Sequence, residues 1–186
     1  MNQPTDECYS QIIKDCKEVF RKKTEDYGTA WRVLRLPSIT DQIFIKAQRI
    51  RSIQEKGTRK VQDDSSQEFF GIINYCLIAM IQLCLPDDEG MEVQYSKLEP
   101  LYDQLAEETR ELLQNKNHDY DEAWRDMRVS SITDIVLMKL LRVKQIEDNQ
   151  GKTLISEGVM ANYQDIINYS VFALIKLEDP VHENSK

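Results

Sequence analysis

Asp26-Tyr27-Gly28-Thr29-Ala30-Trp31-Arg32 and Asp119-Tyr120-Asp121-Glu122-Ala123-Trp124-Arg125 are one motif written twice, 93 residues apart, and they decide how this chain is built. The match continues outward at the same offset. Arg35 pairs with Arg128, Ser38-Ile39-Thr40-Asp41 with Ser131-Ile132-Thr133-Asp134, and Lys46, Arg49 and Ile53 with Lys139, Arg142 and Ile146. After a one-residue insertion the offset becomes 94. Ile72-Ile73-Asn74-Tyr75 then matches Ile166-Ile167-Asn168-Tyr169. Both tryptophans of the chain sit at equivalent positions. An internal duplication is the first thing to look for in a sequence, since missing it misreads the whole fold.

Each copy reads as three helices. The first is expected over Asp6 to Lys23 and again over Tyr95 to Lys116, with Ile12, Ile13, Cys16 and Phe20 at helical spacing. The second opens at Ser38-Ile39-Thr40-Asp41 and Ser131-Ile132-Thr133-Asp134, an S-x-x-D pattern that reads as a capping box, and runs to Gln54 and Glu147. The third, the most apolar, spans Gln62 to Leu85 and Leu154 to Leu177. Pro86-Asp87-Asp88-Glu89-Gly90 is the one good linker signal. The expected division is therefore repeat one at 1–85, a linker at 86–94 and repeat two at 95–186. No strand-like alternation appears. A helix as apolar as the third needs partners on several sides, so the fold is expected to be all-α, with two tandem three-helix repeats packed as a pseudo-twofold helical bundle around one core.

Composition agrees and excludes other classes. In 186 residues there are only six Gly and five Pro, too few for the turns of a many-stranded sandwich. A net charge of −8 argues against a nucleic-acid surface and leaves room for a cation or a metal-borne ligand. The N-terminal residues show no basic-then-apolar leader, so no secretory signal is expected. The apolar run Phe69 to Leu85, broken by Asn74 and Gln82, reads as a core helix rather than a membrane span. Cys8, Cys16, Cys76 and Cys84 form no CxxC and read as small buried thiols suited to a reducing cytoplasm.

Polar residues in the apolar third helix carry the functional reading. In repeat two Glu157, Ala161, Asp165 and Asn168 fall on one stripe. In repeat one the stripe is Asp63, Gln67, Gly71 and Asn74, with Glu68 one step to the side. An acid there calls for a cation, a metal or a donor. On the second helix Lys139 and Arg142, and Lys46 and Arg49, form three-residue steps. They suit either ion pairs to these acids or a grip on phosphate oxygens while the acids hold a divalent cation. The loss of the central acid at Gly71 predicts one competent site, in repeat two, and one degenerate site. Tyr27, Tyr120, Trp31 and Trp124 read either as core aromatics or as walls on which a base stacks. Asp26, Asp119, Asp41 and Asp134 also have plain structural readings at helix ends. His118 and His182 support no catalytic triad.

Lys23-x-x-Asp26-Tyr27-Gly28-x-x-Trp31, Ser38-Ile39-Thr40-Asp41 and Asp165-Ile166-Ile167-Asn168-Tyr169 together resemble the nucleotide modification associated domain family of the first type, once per repeat. The same pattern is similar, more distantly, to all-α nucleoside triphosphate pyrophosphohydrolases of MazG type. That resemblance implies a magnesium ion, with manganese as an alternative, and cleavage of a nucleoside triphosphate to monophosphate and pyrophosphate. Asp165 fits the closing acid of the second MazG-type motif, but Asn162 stands where its glutamate would be. Lys139 and Arg142 occupy the region of the first. What the resemblance implies here is a metal set of Glu157 and Asp165 with Asp119 or Asp134, and phosphate contacts from Lys139, Arg142, Lys46 and Arg49. Base or polar contacts would come from Asn168, Tyr120, Trp124 and Asn74. The partner is a nucleotide, with no direct nucleic-acid or membrane contact expected and a homodimer left open. The alternative is a non-catalytic helical module that binds a nucleotide or a protein.

Overall fold

The computed structural model describes residues 4–56, 65–86, 88–120, 122–155 and 157–178, with the side chains of 116–120 outside the description. Six helices follow in order: α1 (Thr5–Tyr27), α2 (Leu36–Lys56), α3 (Ser65–Cys84), α4 (Tyr95–Tyr120), α5 (Val129–Asp148) and α6 (Val159–Glu178). Short 3-10 turns, Ala30–Val33 and Ala123–Asp126, carry the two tryptophans. Among the described residues there is no strand. The all-α duplicated bundle is what the sequence led us to expect.

The helix starts differ from that expectation. Ser38 and Ser131 cap nothing. α2 begins at Leu36, two residues earlier, and the Ser38 and Ile39 amides both donate to the Arg35 carbonyl. Pro37 suits a first helical turn through its fixed φ and missing N–H, but the start does not require it, since α5 has Ser130 in its place. α5 likewise begins at Val129, behind an extended Arg128 that makes no side-chain cap. The acids assigned to the capping boxes instead cross between repeats. Asp41 accepts from Lys144 at 2.7 Å, and Asp134 lies 3.7 Å from Arg51. Because Asp134 is the mate of Asp41 and Lys144 that of Arg51, these are the same ion pair seen from either side of a pseudo-twofold axis.

The axis recurs through the interior. Asn74 of α3 accepts from Tyr102 (3.0 Å) and donates to the Cys16 carbonyl (3.0 Å). Asn168 of α6 accepts from Tyr9 (3.1 Å) and donates to the Thr109 carbonyl (3.2 Å). Each asparagine therefore ties its own repeat's first helix to that of the other repeat. Around these clamps α3 and α6 pack on each other and on α2 and α5, forming one continuous core of residues such as Phe69, Ile73, Leu77, Ile166 and Leu174. Full burial of each such side chain contributes roughly 1.5–3 kcal/mol. Among the described residues only α3 is long and apolar enough to cross a membrane by length and composition, and its apolar side chains are largely taken up by this core. None of the four cysteines is in a disulfide; Cys16 and Cys76 are buried, their thiols pushed up by that burial, whereas Cys84 is exposed rather than the buried thiol expected.

The duplicated Trp-Arg step has a structural task. Arg32 donates to the Glu89 and Gly90 carbonyls and to Gln82, while Thr29 Oγ1 donates to the Met91 carbonyl and accepts from the Val93 amide. Its mate Arg125 donates to Glu122 and to the Thr5 hydroxyl. In each repeat the motif thus holds the chain that leads into the other repeat's first helix. Gly28 ends α1 with φ +61° and ψ −143°, and a Cβ there would lie 2.6 Å from Glu92 Oε2. The positive φ is what favours glycine here, since the exposed Glu92 carboxylate can move away from a Cβ.

Candidate functional site

The two repeats part company where the second and third helices of each face one another. In repeat one Arg49 donates to Glu68 Oε1 at 2.7 Å and Lys46 to Oε2 at 3.3 Å, with Glu68 almost fully buried. The stem of Lys46 lies over Gly71, where a Cβ would come within 2.9 Å of Cε. In repeat two the acid has moved one helical turn. Gly71 is matched by Asp165, which accepts from Lys139 at 2.5 Å, and Glu68 is matched by Asn162. The lysine keeps a buried carboxylate partner in both copies, but the arginine does not. Asn162 turns its amide to the Gly158 carbonyl (2.9 Å), and Arg142 is left exposed with no partner among the described residues.

Arg142 opens onto a cleft of about 540 Å³ between the end of α5, the 149–158 loop and the start of α6. Among the described residues its lining brings together Lys139, Arg142 and Lys152 against one carboxylate, Glu157, with Asn162 and Thr153 adding polar atoms. Of its apolar residues Ile146 is nearly buried, while Leu154 and Ile155 are fully exposed. The volume lies within the range of small-molecule sites. The cation excess gives it the character of an anion site, since Arg presents a fork of donors that matches phosphate oxygens.

The predicted residues distribute unevenly. Lys139, Arg142 and Glu157 meet in the cleft. Glu157 does so from the loop, since α6 begins only at Val159; it is not on a helical stripe with Asp165. Asp165 is buried beneath, engaged with Lys139. Asp134 lies at the far end of α5, facing Arg51. The side chains of Asp119 and Tyr120 lie outside the described residues, as do Asp63, His118 and His182. Among the described residues no three His, Cys, Asp or Glu side chains converge, so Glu157, Asp165 and Asp134 form no cage with one another. Lys46 and Arg49 are spent on Glu68. Asn74 and Asn168 are committed to the inter-repeat clamps, with Asn168 buried. Trp124 is only 5% exposed, stacked on Phe172 with ring centroids 4.2 Å apart and planes 3° from parallel.

Two features escaped sequence reasoning. Lys152 joins the cleft from a loop whose repeat-one counterpart is Thr58, and that exchange was the visible signal. On the last turn of α5, Glu147 accepts from Thr40 (2.7 Å) and Tyr163 (3.3 Å), and the two hydroxyls share a 2.7 Å hydrogen bond. Burial pushes the Glu147 carboxyl above its usual range, outweighing the hydroxyl donors. Repeat one has Gln54 and Phe69 at these positions, a paired change that marks the network.

A family model described as Nucleotide modification associated domain 1 matches residues 23–83 and again 116–177. Each match starts within the last turns of the repeat's first helix and ends at or near the close of its third. No curated protein and no solved structure matches the chain. With both repeats matched over most of its length, the chain belongs to the nucleotide modification associated domain 1 family.

Proposed function

We propose that the repeat-two cleft binds a nucleotide through its phosphates, with Arg142 and Lys152 as the main contacts and Lys139 behind them. One observation carries this reading: the buried acid that neutralises Arg49 in repeat one is replaced by Asn162 opposite Arg142. Family membership supports a nucleotide as the anion. Leu154 and Ile155, apolar side chains that stand fully exposed beside the nearly buried Ile146, gain cover from a sugar or base.

A second reading, nucleoside triphosphate pyrophosphohydrolase activity, rests on Glu157, the carboxylate that shares the cleft with the cations. Magnesium arriving on nucleotide phosphates requires only one or two protein carboxylates and keeps several waters. This reading depends on metal carried in with the ligand, because the described acids do not make a protein-only site.

Calorimetric titration with nucleoside triphosphates, with and without magnesium, tests both. Arg142→Ala is expected to weaken binding about 10- to 100-fold, the usual worth of a charge-assisted contact. Asn162→Glu, which rebuilds the repeat-one neutralisation, is expected to do the same. Undiminished affinity in both variants, or no binding at millimolar nucleotide, refutes the binding reading. Pyrophosphate release that stops with EDTA and in Glu157→Gln supports the catalytic one. Tight binding without release leaves a binding module.

A further inference from the structure

We infer that repeat one carries a second, separate nucleotide site: a slot behind its Trp motif that takes a nucleobase, with the phosphate end directed to Lys23. The slot has a volume of about 240 Å³ and lies between the end of α1, the 3-10 turn and the middle of α3. Its walls are Phe20, Tyr27, Trp31, Tyr75 and Ile78. Tyr27 is 71% exposed at the mouth, where it gains cover from a bound ring.

Repeat two shows what shape this place accepts. Ile78 is matched by Phe172, whose ring stacks flat on Trp124, the mate of Trp31, while Tyr169, the mate of Tyr75, meets it edge-on at 5.9 Å. The duplicated motif therefore seats a planar ring between its tryptophan and tyrosine, and in repeat two the protein's own phenylalanine is that ring. In repeat one a branched aliphatic side chain stands at this position, and the slot stays open. A planar heteroaromatic ligand completes the arrangement, because base stacking on aromatic side chains asks only for a π-face.

Lys23 decides between candidate ligands. It lines the same slot, is exposed and has no partner among the described residues. An ammonium there repels a quaternary ammonium, the other usual guest of an aromatic box, and attracts a phosphate tail. The two repeats thus divide the work. One keeps uncompensated cations and plugs its slot; the other pairs Lys46 and Arg49 with Glu68 and keeps its slot open.

The test uses Trp124→Phe, which leaves Trp31 as the single indole reporter. Titration with a nucleoside, which has no phosphate to engage the cleft, is expected to quench Trp31 emission saturably. The monophosphate is expected to bind at least 5-fold tighter, and Lys23→Ala to erase that difference. Ile78→Phe, checked for folding by circular dichroism, is expected to abolish quenching, as is truncation of the exposed Tyr27 to Ala. Arg142→Ala is expected to leave the titration unchanged, which separates this site from the cleft. Absence of saturable quenching, quenching that survives both Ile78→Phe and Tyr27→Ala, quenching lost in Arg142→Ala, or preference for tetramethylammonium over nucleoside would each overturn the proposal.

Discussion

Lys139 and Asp165 meet at 2.5 Å between α5 and α6, whereas the equivalent Lys46 reaches Glu68 one turn away and lies over Gly71 where an aspartate would have stood. Two different acids serve the same lysine, so each arrangement is a complete solution to holding an ammonium inside the bundle. Asp165→Ala leaves Lys139, with a side chain only 15% exposed, without this carboxylate. We expect a loss of about 3 kcal/mol in urea denaturation. The double change Asp165→Gly with Asn162→Glu installs the repeat-one solution and is expected to recover more than half of that loss. It also neutralises Arg142, so nucleotide affinity falls while stability returns. A double variant no more stable than Asp165→Ala would contradict the equivalence.

The asparagine clamps make a second prediction. Asn168→Ala leaves the buried hydroxyl of Tyr9 without its acceptor and removes a donor from the Thr109 carbonyl. We expect a cost of roughly 2–3 kcal/mol, against about 1 kcal/mol for Tyr9→Phe. In a double-mutant cycle the pair should couple by at least about 0.5 kcal/mol. Asn74→Ala with Tyr102→Phe should repeat the pattern, since the two clamps are related by the pseudo-twofold axis. Additive behaviour within either pair would show that the hydrogen bond across the repeats contributes nothing.

How far the sequence could be read follows from what a repeat preserves. An offset of 93 and then 94 aligns apolar positions such as Ile73 with Ile167, and periodic burial is a local signal, so the all-α architecture and its twofold arrangement were legible. Helix starts were less so. Ser38 and Ser131 match a capping pattern, but both helices start two residues earlier, at Leu36 and Val129. The same uncertainty put Glu157 on a helical stripe when it belongs to the loop before α6. Lys139 and Arg142 were identified from their three-residue step, but no spacing rule says which of them keeps a partner. That depends on a long glutamate reaching two cations in one repeat and a shorter aspartate, one turn on, reaching one in the other. The asparagines looked like ligands for a related reason: a polar residue in an apolar helix announces a partner without saying whether it is a substrate or Tyr9.

Gly28 carries two separable constraints. Its φ of +61° with ψ of −143° is a conformation that side chains rarely adopt, and Glu92 of the linker approaches it closely. Gly28→Ala is expected to cost roughly 1–2 kcal/mol, nearly all of it backbone strain, because the exposed Glu92 carboxylate can swing aside. Combining it with Glu92→Ala removes the steric part alone. Thermal melts of the single and double variants measure the split. Full recovery in the double variant would mean that the backbone conformation itself stores no strain.

Glu147 provides a pH test with an internal control. Burial raises its carboxyl in the folded chain above the unfolded value, with Asp41 and Asp148 adding to the rise against the Thr40 and Tyr163 donors. A folded state that holds this proton more tightly loses stability as pH climbs from the ordinary carboxylate range through the raised value, and the loss is complete above it. Repeat one places Gln54 at the same position, donating to Thr133 at 3.0 Å, and so shows that an amide fits there. Glu147→Gln is therefore expected to stabilise the protein at pH 7 by at most about 1 kcal/mol, or roughly 2–4 °C in a chain of this size. The gain should shrink as pH falls below the unfolded carboxylate value, where the wild-type residue is protonated in both states. Melting temperatures of both proteins between pH 4 and 8 decide the matter. A difference that is flat with pH, or a variant less stable at neutral pH, would show that the ionised carboxylate is the form the Thr40–Tyr163 network prefers.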